Sequence, residues 1–84
     1  MTLYKIKNLK TGLYSKGGVY DVKWGKKGKI WVEMRYLKNH LTQLEENGKQ
    51  LYTHSKYKGL KQYKDCVILV FDAHESMEIN FDNL

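Results

Sequence analysis

The first third of the chain alternates apolar with polar residues, and this period of two predicts strands with one face in water. Residues 4–7 and residues 20–24 both follow the pattern. Residues 25–28 read Gly-Lys-Lys-Gly, which predicts a tight turn, since glycine adopts a positive φ without strain. We expect residues 29–32 to return as the next strand, so that residues 24–31 form a β-hairpin.

Two further glycine-containing segments predict turns. Residues 11–12 (Thr-Gly) and residues 16–18 (Lys-Gly-Gly) bracket a short apolar segment at residues 13–14. Neither has the spacing of a phosphate-binding loop, and no helical pattern follows directly after either of them. We therefore interpret both as connections between strands.

The period changes to that of a helix at Met34. Apolar residues recur there at intervals of three and four, which places them on one stripe of a helix. Residues 47–48 (Asn-Gly) predict the end of this helix, because glycine takes the left-handed conformation of a helix C-terminus at little cost. The stripe consists of Met34, Leu37, Leu41 and Leu44.

The last third of the chain contains the most apolar segment. Residues 49–64 are polar without a clear period, which predicts a loop with a short strand at residues 51–53. Residues 66–71 are six consecutive apolar residues, which is typical of a strand covered on both faces, and we expect this strand to be central. Residues 77–81 alternate again and predict a final edge strand or an ordered tail.

These elements predict one domain over residues 1–84, of the α+β class. We expect a small curved antiparallel sheet of about four to five strands, in the order β-β-β-α-β-β, with one helix packed across it. A chain of 84 residues and 10.0 kDa has room for one core only.

Charge divides the chain into two parts. Residues 1–64 carry fifteen Lys and Arg and four acids, a net +11, whereas residues 65–84 carry five acids and no base, a net −5. The basic body is suited to an anionic partner such as nucleic acid or an acidic protein surface. The acidic tail either repels phosphate or folds back and neutralises part of the body, and the sequence leaves both alternatives open.

The apolar segments and the cysteine content indicate a cellular compartment. No apolar run reaches the ~18 residues of a membrane span, so we expect no membrane contact. The single cysteine, Cys66, excludes an intrachain disulfide and indicates a reducing compartment. We therefore expect a cytoplasmic protein.

The residue types that carry metal or nucleophilic chemistry are scattered. His40, His54, His74 and Cys66 are far apart in sequence, so a metal site would form only if the fold brought them together. The neighbouring Asp65 disfavours a Cys66 thiolate, which makes this cysteine a small apolar core residue rather than a nucleophile. We expect no cofactor and no catalytic site.

Basic and aromatic residues occur together in the predicted hairpin and in the loop that follows the helix. Lysines neutralise phosphates, and exposed aromatic rings stack on unpaired bases or anchor a protein partner. The candidate partner- or nucleic-acid-binding residues are Lys23, Lys26, Lys27, Lys29, Trp31, Arg35, Lys56, Tyr57, Lys58, Lys61, Tyr63 and Lys64.

Five short motifs lie between residues 4 and 70: YKIKN, TGLYSKGG, WGKKGKIW, LKNHL and YKDC. Through them the chain resembles a group of small proteins of tailed bacteriophages, and the acidic tail lies outside the resemblance. The resemblance implies expression in the cytoplasm of an infected bacterium. The group has no assigned catalytic motif, so the resemblance implies no site residues.

Small phage proteins often act by binding a host protein. We therefore expect a non-enzymatic protein that binds and modulates a host protein, as a stoichiometric anti-defence inhibitor. The alternative is a nucleic-acid-binding accessory protein that uses the basic aromatic face. The edge of the last strand is also compatible with a homodimer.

Overall fold

The computed structural model describes residues 2–50, 59–72 and 76–81. The elements along the chain are β1 (Leu3–Asn8), β2 (Tyr14–Gly17), β3 (Lys23–Gly25), α1 (Met34–Gln50), a 3-10 helix (Gly59–Tyr63), β4 (Cys66–Phe71) and β5 (Ser76–Asn80). The strands form one antiparallel sheet in the order β3-β2-β1-β4-β5. The structure therefore confirms the α+β class, the order of the elements and the edge position of the last strand.

The pairing of β1 with β4 forms the centre of the sheet. All six residues of each strand are in register, from Leu3 opposite Phe71 to Asn8 opposite Cys66. β4 also pairs with β5 along five positions, so it is an interior strand, and β1 rather than β4 occupies the middle of the sheet. The apolar run is buried on both faces, as Val67 at 4% and Ile68 at 0% exposure show.

One face of the sheet packs against α1. The predicted helical stripe is confirmed, because Leu37 and Leu44 are fully buried in a cluster with Ile6 and Ile68. Since successive residues of a strand point to opposite faces, Lys5 and the other neighbours of Ile6 lie on the face away from the helix. Among the described residues, no helix is long and apolar enough to cross a membrane.

The structure contradicts the hairpin predicted for residues 24–31. β3 pairs with β2 instead, and the segment after it crosses the sheet without forming a strand. Trp31 N and O exchange two backbone hydrogen bonds of 2.9 Å with Tyr4, and Lys29 N donates to Ser15 O at 2.8 Å. The physical reason is the burial of Trp31, which is only 3% exposed, because that burial stabilises more than a lysine-rich hairpin in solvent would.

Several predicted boundaries also change. β2 extends through Gly17, whereas Tyr20 is 44% exposed and lies outside any strand. α1 continues past residues 47–48 to Gln50, and Asn47 Nδ2 donates to Val19 O at 2.7 Å, which ties this turn to the segment after β2.

The predicted loop over residues 49–64 is helical at both ends of its described part. α1 includes residues 49–50, and residues 59–63 form the 3-10 helix. A hydrogen bond of 3.1 Å from Leu60 N to Glu45 Oε2 ties that helix to α1. The short strand predicted at residues 51–53 lies outside the described residues.

Candidate functional site

An open groove of about 520 Å³ lies between α1 and the two segments that precede it. Trp31 and His40 line it together with exposed apolar residues and with the polar Lys29, Asn39 and Gln43. We call it the apolar groove, and its walls are Val19 (46% exposed), Ile30 (48%), Val32 (55%) and Tyr36 (46%). These are four of the seven large apolar side chains that are exposed in the described part of the chain.

Local structure explains why these side chains point into solvent. Ile30 and Val32 flank the buried Trp31 in an extended segment, and side chains alternate in such a segment. Burial of Trp31 therefore forces its two neighbours outward. On α1, Tyr36 and His40 are four residues apart and consequently share one helix face.

A buried chain of hydrogen bonds starts at His40, which lines the apolar groove. His40 Nε2 lies 2.6 Å from the Tyr63 hydroxyl, which lies 2.7 Å from Ser15 Oγ. Gly17 N donates to Ser15 Oγ at 3.1 Å. Ser15 and Tyr63 are 0% and 4% exposed, so the chain connects the sheet to α1 through the core.

Protonation of these groups follows from their surroundings. Burial, followed by the positive charge of Lys29, lowers the pKa of His40 below its ordinary value. Burial raises the pKa of Tyr63 to about 12. A neutral His40 can accept from the Tyr63 hydroxyl while Tyr63 accepts from Ser15, and this assignment gives both hydroxyl hydrogens an acceptor.

Cationic side chains lie at the rim of the apolar groove. Lys29 Nζ is 5.3 Å from the centroid of the Trp31 ring. The Arg35 guanidinium is 5.0 Å from the Tyr36 ring and pairs with Glu33 at 2.8 Å. The groove therefore combines apolar walls with a positive edge.

The structure gathers only some of the residues predicted to contact a partner. Lys29, Trp31 and Arg35 lie in or next to the apolar groove. Trp31 and Tyr63 are buried, so the expectation that their rings are free to stack on a partner is wrong: both rings pack in the core. Residues 56–58, which include the predicted Lys56, Tyr57 and Lys58, lie outside the described residues.

The remaining predicted lysines are exposed and are spread over other surfaces. Lys23 lies on the edge strand β3, 3.7 Å from Asp21. Lys26 and Lys27 follow β3 in the crossing segment, and Lys61 is in the 3-10 helix. Lys64 lines a second cavity of about 710 Å³ between α1, the 3-10 helix and the end of β5.

The second cavity also contains Cys66. Burial, reinforced by the negative charge of Asp65, raises the pKa of this thiol to about 11, which leaves almost no thiolate at neutral pH. No group of three or more metal-ligating side chains occurs in the described residues. His54 and His74 lie outside them.

Sequence reasoning missed the four wall residues of the apolar groove. The available signal was alternation, since a buried Trp31 requires Ile30 and Val32 to face outward. Val19 and Tyr36 gave no such signal, because only the tertiary fold brings the Gly-rich segment next to α1.

Comparisons with known proteins add no family assignment to this geometry. No protein-family model matches the chain, and neither a curated protein nor a solved structure matches it. Function is therefore inferred from the surfaces of the molecule itself.

Proposed function

We propose that this protein binds a protein partner through the apolar groove and modulates that partner without catalysis. The presence of four residues with exposed large apolar side chains along one groove carries this proposal. Contiguous exposed apolar surface with a polar rim is typical of interaction sites, and a few aromatic and aliphatic anchors supply most of the binding energy at an interface.

Charge indicates the chemistry of the partner. The chain carries a net +6, and Lys29 lies at the groove rim. An acidic protein segment that presents an apolar side chain complements both features, because its carboxylates meet the rim while its apolar group enters the groove.

The resemblance to small phage proteins favours a bacterial host protein as the partner, in the cytoplasm of the infected cell. On that basis the protein acts as a stoichiometric inhibitor, with a host defence protein as its target. Binding rather than nucleophilic catalysis is supported by the high pKa of Cys66.

The test compares two substitutions that place a charge at equally exposed apolar positions. Val32→Asp introduces a carboxylate into the apolar groove, whereas Leu9→Asp introduces one elsewhere, and both positions are 55% exposed. Tagged proteins capture partners from nuclease-treated bacterial lysate, mass spectrometry identifies them, and calorimetry measures binding to the purified partner. Circular dichroism confirms that each variant is folded.

We expect Val32→Asp to weaken binding at least tenfold and Leu9→Asp to bind as the unsubstituted protein does. Loss of an apolar anchor together with burial of an unpaired carboxylate accounts for that magnitude. Equal binding by all three proteins, or equal loss in both variants, would exclude the apolar groove as the interface.

A further inference from the structure

The face of the sheet opposite α1 carries a cluster of lysines around one tyrosine. Lys5 and Lys7 lie on this face because Ile6 between them points into the core. Tyr14 is directly opposite Lys7 in the register of β1 and β2. The two Nζ atoms lie 5.0 and 5.8 Å from the centroid of its ring.

Two neighbouring segments extend this cluster. Lys16 is two residues beyond Tyr14, and its side chain lies beside Gly25, where an added Cβ would meet Lys16 Cδ at 3.0 Å. Lys5 Nζ donates to Lys27 O at 2.8 Å, which holds the crossing segment against the cluster. We call this surface the basic sheet face, and it consists of Lys5, Lys7, Tyr14, Lys16 and the adjoining Lys27.

The lysines of the basic sheet face share their side of the sheet with one acid, Glu78, which the register places two strands from Lys5. The ion pairs found there join Lys10, Lys23 and Arg35 to acids elsewhere. Within residues 2–50, 59–72 and 76–81, none of the lysines of the basic sheet face makes an ion pair. Their positive charge is therefore available to an anionic partner.

We propose that the basic sheet face binds single-stranded nucleic acid. Lys7, Lys16 and Lys27 contact phosphates and release their counterions, and the Tyr14 ring stacks on an unpaired base. Single strands are favoured over duplexes because the described residues give this face no projecting helix or ribbon to enter a groove, and because bases in a duplex are already stacked.

This site is separate from the apolar groove and goes beyond the proposed function. The groove is built on α1 and the segments packed against it, whereas the lysines project from the opposite face of the sheet. The two surfaces do not compete, so the Val32→Asp variant should bind nucleic acid as the unsubstituted protein does.

The first experiment measures fluorescence anisotropy of a labelled oligothymidylate of about 12 nucleotides. With three lysines on phosphates, the logarithm of the affinity should fall with the logarithm of salt with a slope of about −2. That slope corresponds to about a 20-fold loss between roughly 50 and 200 mM salt. No binding, or equal binding of a duplex of the same length, overturns the proposal.

A charge-matched pair of double variants locates the site. Lys7→Glu/Lys16→Glu alters the basic sheet face, and Lys38→Glu/Lys61→Glu makes the same change in net charge on α1 and the 3-10 helix. We expect the first variant to bind weakly with a slope nearer −1, and the second to retain binding and slope. An equal loss of affinity in both variants would show that net charge alone attracts the oligonucleotide, and it would overturn the assignment of the site to the basic sheet face.

Tyr14→Leu separates stacking from charge. Leucine retains the apolar contact in the sheet and removes the aromatic face, so we expect a loss of affinity of about 5- to 150-fold with an unchanged salt slope. Urea unfolding of each variant confirms that the fold is intact. An unchanged affinity in a folded Tyr14→Leu protein overturns the role of the ring.

Discussion

Replacing Tyr63 by phenylalanine removes one hydroxyl and thereby breaks the buried chain that links Ser15 to His40. The ring itself is retained, together with its stacking on Phe81 at 5.5 Å and its edge contact with Trp24 at 5.9 Å. The variant therefore isolates the polar contribution of the chain from its packing.

The expected loss of stability follows from the polar groups that the substitution leaves without a hydrogen-bond partner. The Ser15 hydroxyl hydrogen is fully buried and loses its acceptor, and His40 Nε2 loses its donor at a half-buried position. A buried polar group without a partner costs about 1–3 kcal/mol, and the partial exposure of His40 reduces its share. We expect the free energy of unfolding to fall by about 2 kcal/mol, with a decrease in Tm of roughly 8–16 °C.

Urea unfolding at pH 7 measures this loss. Tyr4→Phe is the matched control, since Tyr4 is partly buried and its hydroxyl has no hydrogen bond in the described structure, and we expect a change below about 0.5 kcal/mol. The double variant Ser15→Ala/Tyr63→Phe should lose less than the sum of the two single variants, because both ends of one bond are removed together. A loss in Tyr63→Phe no larger than in Tyr4→Phe would refute the reasoning.

Two further predictions concern titrating groups. The pKa of His40 is lowered by burial and by Lys29, so the unfolded chain binds a proton that the folded protein does not. The free energy of unfolding should consequently decrease as pH falls through about 6.5. His40→Gln should reduce that pH dependence. Equal pH profiles of stability for the variant and the unsubstituted protein would contradict the assignment of this effect to His40. The pKa of Cys66 is raised from its ordinary 9.0 to about 11, so its thiol should react with a disulfide reagent at pH 8 roughly 100-fold more slowly than in urea. Comparable rates would show that the thiol is accessible as thiolate.

Local patterns predicted those elements whose sequence signal and tertiary environment agree. The stripe ending at Leu44 requires a helix with one buried side, and the run from Cys66 to Phe71 requires a strand covered on both faces. Both elements are present, and Leu44 of the helix and Cys66, Val67, Ile68 and Val70 of the strand are buried.

The predicted hairpin of residues 24–31 does not form, because its sequence signal is local whereas the pairing that replaces it joins residues remote in sequence. Gly25 and Gly28 are compatible with a turn, but Trp31 is buried by pairing with Tyr4, which is remote in sequence. Both candidate surfaces likewise depend on contacts between residues that are remote in sequence. The apolar groove needs Val19 beside α1, and the basic sheet face needs the register that places Tyr14 beside Lys7.

The pairing of β1 with β4 has a consequence for the order of events during synthesis. Residues 9–65 separate the two strands, and at about 5–20 residues per second the ribosome takes roughly 3–11 s to make that interval. During this time Ile6 lacks its partner in β4, Ile68, which packs with it in the core. The central pair of strands therefore forms only after residues 66–71 have been made, and we expect loop closure over this distance, rather than the formation of α1, to limit the rate of folding.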